Sequence, residues 1–362
     1  MLTLVIIIIL VALTFDFFNG FNDAANSIAT IVSTRVLSPA QAVAWAAFWN
    51  FIAAFVFGTA VARAISSGFV DLSSLGTPSQ QLFVILAGLI GATVWTYICS
   101  MMGLPISVSH SLISGYAGAA LAKAGVAALI VPGKWGVTIL FIFISPLLGM
   151  IGGAILMTSM AWIFQKSTPH RVDSWFRRLQ LVSAAAFSLS HGTNDAQKTM
   201  GIIAVSVGVL AATPGYEFVE SWTHPGWIPP WFHWFNLPHN IAWWNILICH
   251  TVIALGTLLG GWRVVRTMGH GITRLQPVGG FCAETAGAST VIAASLLGIP
   301  VSTTHCITGS ILGVGATRGI RAVRWISGQR IVLAWIFTMP SSAFMAAVVY
   351  LVVHHLIEPL FQ

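Results

Sequence analysis

Residues 20–26 read Gly20-Phe21-Asn22-Asp23-Ala24-Ala25-Asn26, and Gly192-Thr193-Asn194-Asp195-Ala196-Gln197-Lys198 repeats this stretch with four identical positions. A second stretch, Gly103-Leu104-Pro105-Ile106-Ser107-Val108-Ser109-His110, recurs as Gly298-Ile299-Pro300-Val301-Ser302-Thr303-Thr304-His305, again with four identical positions. The two motifs follow each other in the same order both times. The chain is therefore interpreted as an internal duplication.

The duplication divides the chain into a first repeat, residues 1–165, and a second repeat, residues 179–362. Residues 166–178 form a short basic linker between them, which we predict to be cytoplasmic. Of the 362 residues, 57% are hydrophobic and only 7% are charged, with a mean hydropathy of +0.87. A soluble body of this size needs far more charge, about 25% in typical domains. We therefore expect an all-α, polytopic membrane protein whose surroundings are a lipid bilayer.

The net charge of +7 reflects basic residues that are scattered around long apolar runs, so nucleic acid is not an expected partner. Lys and Arg are retained on the cytoplasmic side of membrane proteins. With the basic clusters placed inside, both termini and the Trp- and Pro-rich loop 213–240 fall outside. The three clusters are Lys166, Arg171, Arg177, Arg178; Arg263, Arg266, Arg274; and Arg318, Arg321, Arg324, Arg330.

On this path the first repeat enters its Asn-Asp motif from outside, and the second repeat enters its copy from inside. Three apolar stretches, 104–122, 181–212 and 301–316, are also interrupted by Gly, Pro or polar residues. At membrane depth such a break requires protein or water around the freed backbone groups. Inverted repeats with broken or re-entrant helices are typical of secondary transporters, whose substrate site lies near the midplane between the repeats. An enzyme is not expected, because Ser190, His191 and Asp195 are neighbours on one helix turn and do not form a triad.

The Asn-Asp motifs predict cation binding. An isolated carboxylate within an apolar span costs roughly 2.5 to 3.5 kcal/mol on insertion scales, so each Asp must be paired, protonated or bound to a cation. Amide oxygens beside carboxylates suit a small hard cation, and Na⁺ is a candidate at Asp23 and Asp195. Lys198 stands where the first copy has Asn26, so the two sites cannot be equal. The alternative is that each pair caps a broken helix. The candidate residues are Asn22, Asp23, Asn26, Asn194, Asp195 and Gln197.

The Gly-x-Pro-x-Ser motifs predict anion binding. Each motif places a flexible Gly, a Pro at a helix start, and hydroxyl groups in the first turn. A helix N-terminus within a membrane presents free N–H groups and a positive dipole end. Two such ends arriving from opposite sides can converge on one tetrahedral anion, although capping and helix packing are the plainer reading. The candidate ligands are Ser107, Ser109, Ser302, Thr303 and Thr304.

Other polar residues within apolar sequence are candidates for coupling or gating. His110 and His305 are matched between the repeats, whereas Asp16 and Glu284 occur in one repeat each. Glu284 alternatively forms an ion pair with Arg274 at the membrane edge. The candidate residues for coupling or gating are Asp16, Lys198, Glu284, His110 and His305.

At both motifs the sequence resembles the inorganic phosphate transporter (PiT) family over essentially the whole chain. The resemblance implies import of inorganic phosphate by symport with Na⁺ or H⁺, outside termini and a homodimer in the plasma membrane, the inner membrane of a bacterium. No resident cofactor is expected, since the coupling ion is transported. Relative to many members, the chain lacks a long central loop, because residues 166–178 are few.

Four other functions remain open from the sequence. A sulfate symporter or a metal-phosphate symporter shares every feature above. A divalent-metal transporter uses the same carboxylates, but it should have more soft or paired acidic ligands than this chain offers. An anion channel conducts without saturation by a coupled cation.

Overall fold

The computed structural model describes residues 1–56, 58–130, 133–223 and 241–356, and these residues are helical with short connections. In these ranges the β-structure is limited to one bridge between Val70 and Leu129. The expected all-α class is therefore confirmed. The helices of the described chain are α1 Leu2–Ser33, α2 Pro39–Ile52, α3 Ala60–Gly68, α4 Pro78–Met102, α5 Val108–Ala124, α6 Gly133–Ile163, α7 Pro169–Ala211, α8 Glu220–Thr223, α9 Trp243–Leu259, α10 Trp262–Gly271, α11 Pro277–Leu296, α12 Thr303–Ala316 and α13 Trp325–Leu356.

Four of the described helices, α1, α4, α6 and α13, are long and apolar enough to cross a membrane. Two bent pairs of helices, α2 with α3 and α9 with α10, qualify as one span each. The sequence predicts spans over residues 40–62 and 241–262, and α2 and α9 occupy most of these ranges. At the end of the second range the chain bends by 71° from α9 into α10. Gly260 lies at this bend with φ +60°, a conformation that glycine adopts without strain. The chain is a multi-pass membrane protein.

The same succession of elements occurs twice. A long helix carrying the Asn-Asp motif is followed by a bent pair, a helix, a break, a shorter helix, and a long helix with an internal proline. The series runs through α1–α6, with Pro146 in α6, and again through α7 and α9–α13, with Pro340 in α13. This succession fits the predicted repeats 1–165 and 179–362. Their opposite orientation in a membrane stays a prediction.

The two series of helices interleave rather than packing as separate bodies. Helix α5 packs against α13, and α12 packs against α6. In the same way α1 contacts α9, and α7 contacts α2 and α3. Each half therefore completes its core with helices of the other half.

The breaks after α4 and α11 have the same geometry. Gly103 and Gly298 take φ values of +73° and +68°, the left-handed region that ends a helix at low cost for glycine. The chain then runs extended until α5 begins at Val108 and α12 begins at Thr303. The sequence reading, which placed the motif prolines at the helix starts, is wrong by three residues. The N–H groups exposed by each helix start consequently follow Ser107 and Ser302, which take the capping position.

The predicted linker 166–178 is mostly helical, because α7 already begins at Pro169. This helix has 43 residues, about 65 Å at 1.5 Å per residue. That length is twice a hydrocarbon core of about 30 Å, so part of α7 extends beyond it. The loop predicted outside, 213–240, lies outside the described residues from position 224 onward.

Glycine in the Asn-Asp motif is required by helix packing. A Cβ atom on Gly20 would lie 2.1 Å from the carbonyl oxygen of Ile253 in α9. A Cβ atom on Gly192 would lie 2.6 Å from the carbonyl oxygen of Asn50 in α2. Real Cβ atoms do not approach backbone oxygen this closely, so glycine at these two positions lets α1 approach α9 and α7 approach α2.

We predict that Gly192→Ala destabilises the protein by at least about 1–3 kcal/mol, the usual cost of overpacking. Gly208→Ala is the matched control in the same helix, because a Cβ there meets nothing within 4 Å. The control should be neutral or stabilising by about 1 kcal/mol, since Ala is the better helix former. Thermal unfolding in detergent compares the two variants, and equal melting temperatures would contradict the packing argument.

Candidate substrate and cation site

The two Asn-Asp motifs lie in the middle of continuous helices. α1 carries residues 20–26 without interruption, and α7 carries residues 192–198 in the same way. The sequence prediction of an interruption within 181–212 is wrong, and so is the alternative that the Asn-Asp pairs cap broken helices. Polar residues are tolerated in α7 because their side chains are buried against other helices rather than against lipid.

Asn22 and Asn194 have equivalent anchors in the two halves. The side-chain amide of Asn22 donates to Ser100 Oγ at 2.8 Å, and that of Asn194 donates to Ser295 Oγ at 2.8 Å. The amide oxygens Oδ1 of both residues are buried and accept no hydrogen bond in the described part of the chain. A buried amide oxygen that accepts no hydrogen bond is available to bind a cation. The hydrogen bonds to Ser100 and Ser295 fix the orientation of both amides.

The carboxylates of Asp23 and Asp195 come together although they belong to different halves. Thr303 joins them, since its Oγ1 lies 3.3 Å from Asp23 Oδ2 and 3.4 Å from Asp195 Oδ2. Thr304 Oγ1 adds a contact of 3.3 Å to Asp23 Oδ1. The Asp side chains are 2% and 0% exposed, so these contacts replace water. Two hydroxyl groups at the start of α12 thus face both carboxylates.

His191 lies between the same carboxylates, and the sequence reasoning did not assign it to the site. Its Nε2 is 3.7 Å from Asp23 Oδ2 and 3.4 Å from Asp195 Oδ2. Nδ1 lies 3.0 Å from Oδ1 of Asn50, which orients the ring. A comparison of the two repeats does not reveal His191, because the corresponding residue of the first repeat is Asn19. The i, i+4 spacing of His191 and Asp195 is the signal that places them on one helix face.

Lys198 and Asn26 reach from α7 and α1 to the motif of the opposite half. Lys198 Nζ lies 2.6 Å from Asp195 Oδ1 and 2.8 Å from the carbonyl oxygen of Val301, and it also donates to Ser109 Oγ. Asn26 Nδ2 donates to Thr304 Oγ1 at 2.9 Å. Both side chains therefore lie within the cluster that the sequence predicts.

The starts of α5 and α12 face each other in this cluster. Ser109 Oγ donates to the carbonyl oxygen of Val301 at 3.3 Å, and Thr304 Oγ1 donates to that of Ile106 at 3.0 Å. The hydroxyl oxygens of the two N-cap serines accept hydrogen bonds from the N–H groups of His110 and His305, at 3.2 and 3.3 Å. The plainer capping role is thus present at the N-caps, Ser107 and Ser302, while Ser109, Thr303 and Thr304 face the other half.

Gln197 does not join this cluster. Its Oε1 accepts from the N–H groups of Val61 and Ala62 at 2.8 and 3.2 Å, and its Nε2 donates to Gly58 at 2.6 Å. The amide therefore supports the start of α3. Gln197 is therefore not part of the proposed cation site.

The hydrogen bond of Asp16 and the ring contact between His110 and His305 involve groups other than the two carboxylates. Asp16 Oδ1 accepts from Thr199 Oγ1 at 2.9 Å. The rings of His110 and His305 meet edge to face with centroids 5.0 Å apart, across the interface of α5 and α12. Their roles in coupling or gating stay predictions.

Glu284 is fully buried and accepts hydrogen bonds from neutral donors. Thr30 Oγ1 and Gln180 Nε2 contact its Oε1 at 2.5 and 3.1 Å, and Ser183 Oγ contacts Oε2 at 2.5 Å. In the described chain no ion pair joins Glu284 to Arg274, so the alternative reading of an edge ion pair is wrong. Four polar groups from α1, α7 and α11 satisfy each other at this position.

The central cluster has the ligand atoms of a cation site. Ligand atoms of Asp23, His191 and Asp195 lie within 4.8 Å of one another. Two carboxylates face the ammonium of Lys198, and the imidazole of His191 lies between the carboxylates. An anion that enters beside these carboxylates is stabilised by a cation or proton that binds with it.

Comparison with known proteins decides the family. The model of the phosphate transporter family matches residues 19–172 and 164–346. The chain belongs to the phosphate transporter family. As a member of this family it is a transporter and not an enzyme.

Two relatives and one solved structure show how far the similarity extends. A probable low-affinity inorganic phosphate transporter of Rhizobium meliloti (strain 1021) is 49% identical over 343 residues, which cover 95% of this chain and 94% of the relative. A protein of the same description from Bacillus subtilis (strain 168) is 39% identical over 354 residues, 98% of both chains. The solved structure described as the sodium-dependent phosphate transporter aligns with a TM-score of 0.83 at 26% identity, covering 98% of this chain and 100% of that one. The family resemblance found in the motifs is confirmed.

We predict that Thr303→Val lowers the free energy of unfolding by about 1.5–3 kcal/mol, because hydrogen bonds to charged groups contribute about that much. Val is close in shape to Thr, and the equivalent position in the first half is already Val108. Thr290→Val is the control, since that hydroxyl donates to the Ala286 carbonyl of its own helix at 2.9 Å. Thermal unfolding in detergent should separate the variants. If both lose the same stability, Thr303 does not join the two carboxylates.

Proposed function

We propose that this transporter imports inorganic phosphate together with Na⁺ or H⁺, by alternating access around the cluster of Asp23 and Asp195. One observation carries the proposal: helix starts and carboxylates of both halves meet in one buried place. Thr303 at the start of α12 touches both carboxylates, and Ser109 at the start of α5 contacts Lys198. Groups suited to an anion and groups suited to a cation are thus adjacent.

Phosphate is proposed to bind between the starts of α5 and α12. Both starts carry the positive end of a helix dipole, and they present hydroxyl donors from opposite directions. The hydroxyl groups of Ser109 and Thr304 donate to the carbonyl oxygens of Val301 and Ile106. When phosphate enters, its oxygens replace these carbonyls as acceptors, so no donor is left unpaired. Low-affinity inorganic phosphate transport in the printed descriptions of the relatives supports this choice of anion.

The coupled cation is proposed to bind beside Asp23 and Asp195. The free amide oxygens of Asn22 and Asn194 add neutral ligands to the carboxylates. This set suits Na⁺, and the structural similarity to a sodium-dependent phosphate transporter supports Na⁺. H⁺ is the second candidate, because His191 contacts both carboxylates.

Membrane energetics favour coupling. Against an inside-negative potential, import costs about 2.3 kcal/mol per negative charge per 100 mV. A phosphate dianion therefore needs about 4–5 kcal/mol before any concentration gradient is counted. Each cation that moves with it removes one unit of this cost.

Several further features belong to the proposal. The two halves are inverted in the membrane, both termini lie outside, and the protein is a homodimer in the plasma membrane, the inner membrane of a bacterium. Alternating access requires that the cluster, buried in this structure, opens to each side in turn. Sulfate and a metal-phosphate complex are the alternative anions of the same architecture.

The test is uptake of labelled phosphate into proteoliposomes that contain the purified chain. We expect an imposed Na⁺ or H⁺ gradient to stimulate uptake, and Asp23→Asn and Asp195→Asn each to lower it at least 10-fold, because removing one buried charge interaction costs more than 1.4 kcal/mol. Asp173→Asn is the matched control in α7, an exposed carboxylate paired with Arg177 at 2.8 Å. It should keep full uptake.

Two results would overturn the proposed function. Uptake that neither gradient changes would exclude coupling, and uptake that survives both cluster substitutions would exclude the site. Competition by unlabelled sulfate, or a requirement for a divalent metal, would identify one of the alternative anions.

A further inference from the structure

The oxygen atoms around Asp23 and Asp195 form two matching sets. In the first set, Thr304 Oγ1 lies 3.3 Å from Asp23 Oδ1 and 3.0 Å from the carbonyl oxygen of Ile106. The carboxylate of Asp23 in α1 thus meets the hydroxyl of Thr304 in α12 and the backbone carbonyl of Ile106, which precedes α5. These are the hard oxygen ligands that bind small cations in proteins.

The second set consists of the corresponding atoms of the opposite halves, and it encloses an ammonium. Lys198 Nζ lies 2.6 Å from Asp195 Oδ1, 2.8 Å from the carbonyl oxygen of Val301, and within hydrogen-bond distance of Ser109 Oγ. An ammonium has three N–H donors, so these three oxygens satisfy all of them. The Lys198 side chain is 1% exposed, and the charge is therefore held inside the protein.

The first set has no such charge. Asn26 stands at the position of Lys198, and its Nδ2 donates to Thr304 Oγ1 at 2.9 Å and to Thr303 Oγ1 at 3.4 Å. An amide donates hydrogen bonds but does not neutralise a carboxylate. Among the described residues, the ionisable group paired with Asp23 is His191 at 3.7 Å. Asp195 thus has the ammonium of Lys198 at 2.6 Å in addition to His191, whereas no Lys or Arg of the described chain pairs with Asp23.

We propose that Lys198 is a tethered cation, which occupies in the second set the position that a mobile cation takes in the first. The inference rests on the proposed function and deepens it. The cluster then binds one mobile cation, at Asp23, for each phosphate. The ammonium of Lys198 contributes to neutralising the bound anion, but it stays with the protein when phosphate leaves.

The tethered cation changes the charge that crosses the membrane. A protein with mobile cations in both sets moves one more positive charge per phosphate than a protein with one mobile cation. For each phosphate taken up by this chain, the membrane potential therefore acts on one positive charge fewer than it would with two mobile cations. In return, the second set is always occupied by a positive charge, since a tethered ammonium needs no external cation to be present.

The test is the cation-to-phosphate ratio of Lys198→Asn, which gives the second half the residue that the first half has. Purified protein in proteoliposomes is assayed with labelled phosphate, radiolabelled Na⁺, and a pH-sensitive dye for H⁺. We expect the ratio to rise by one relative to the unmodified chain, and the Hill coefficient for the driving cation to rise with it. Lys166→Asn removes an exposed Lys charge and should leave the ratio unchanged.

A reverse substitution keeps the proposal testable if Lys198→Asn does not fold. Asn26→Lys places an ammonium beside Asp23, where Thr304 and the Ile106 carbonyl provide acceptors. The ratio should then fall by one. The inference is overturned if the variants take up less phosphate but the remaining transport keeps the cation-to-phosphate ratio of the unmodified chain.

The outcomes separate this inference from the proposed function. If the unmodified chain takes up no phosphate, or takes it up without any cation, the proposed function fails. If it shows coupled uptake and the ratio is the same in Lys198→Asn, only the tethered cation fails.

Discussion

A buried carboxylate in an apolar interior is the constraint on which the rest of this structure depends. Removing an ionised group from water costs several kcal/mol unless hydrogen bonds and opposite charge replace the lost hydration. Asp195 meets this requirement with Lys198 and His191 of its own helix and with Thr303. The partners of Asp23, by contrast, are Thr303, Thr304 and His191, which all belong to the second half. The first half therefore depends on the second for a satisfied carboxylate.

The breaks in the helices follow from the same constraint. A broken helix exposes N–H and carbonyl groups, which are tolerated at membrane depth only where partners are present. The breaks after Gly103 and Gly298 lie where these groups meet the carboxylates and each other. A broken helix and a buried charge each cost free energy when they stand alone in an apolar interior. Placed side by side, the polar groups of the break and the charged side chains form hydrogen bonds with one another. Close helix contacts at Gly20 and Gly192 hold the arrangement together.

Sequence predicts the helical class, the two-fold succession of elements and most of the central cluster, because motifs that recur in order carry that information locally. It does not predict His191, whose counterpart Asn19 differs, or the continuity of α7, whose polar residues imitate a break. It places Gln197 in the cation site, whereas its amide supports the start of α3. These differences depend on which distant helix a side chain faces, and the local sequence pattern carries no information about that contact.

The interleaving of the halves has a consequence for biosynthesis. Helix α5 ends at Ala124, and its packing partner α13 begins at Trp325, about 200 residues later. Ribosomes add about 5–20 residues per second, so α5 waits roughly 10–40 s for that partner. Throughout this interval the polar start of α5 lacks its final surroundings. The first half is therefore made before the helix that packs against α5 exists, and it folds through an intermediate in which the start of α5 is not yet covered.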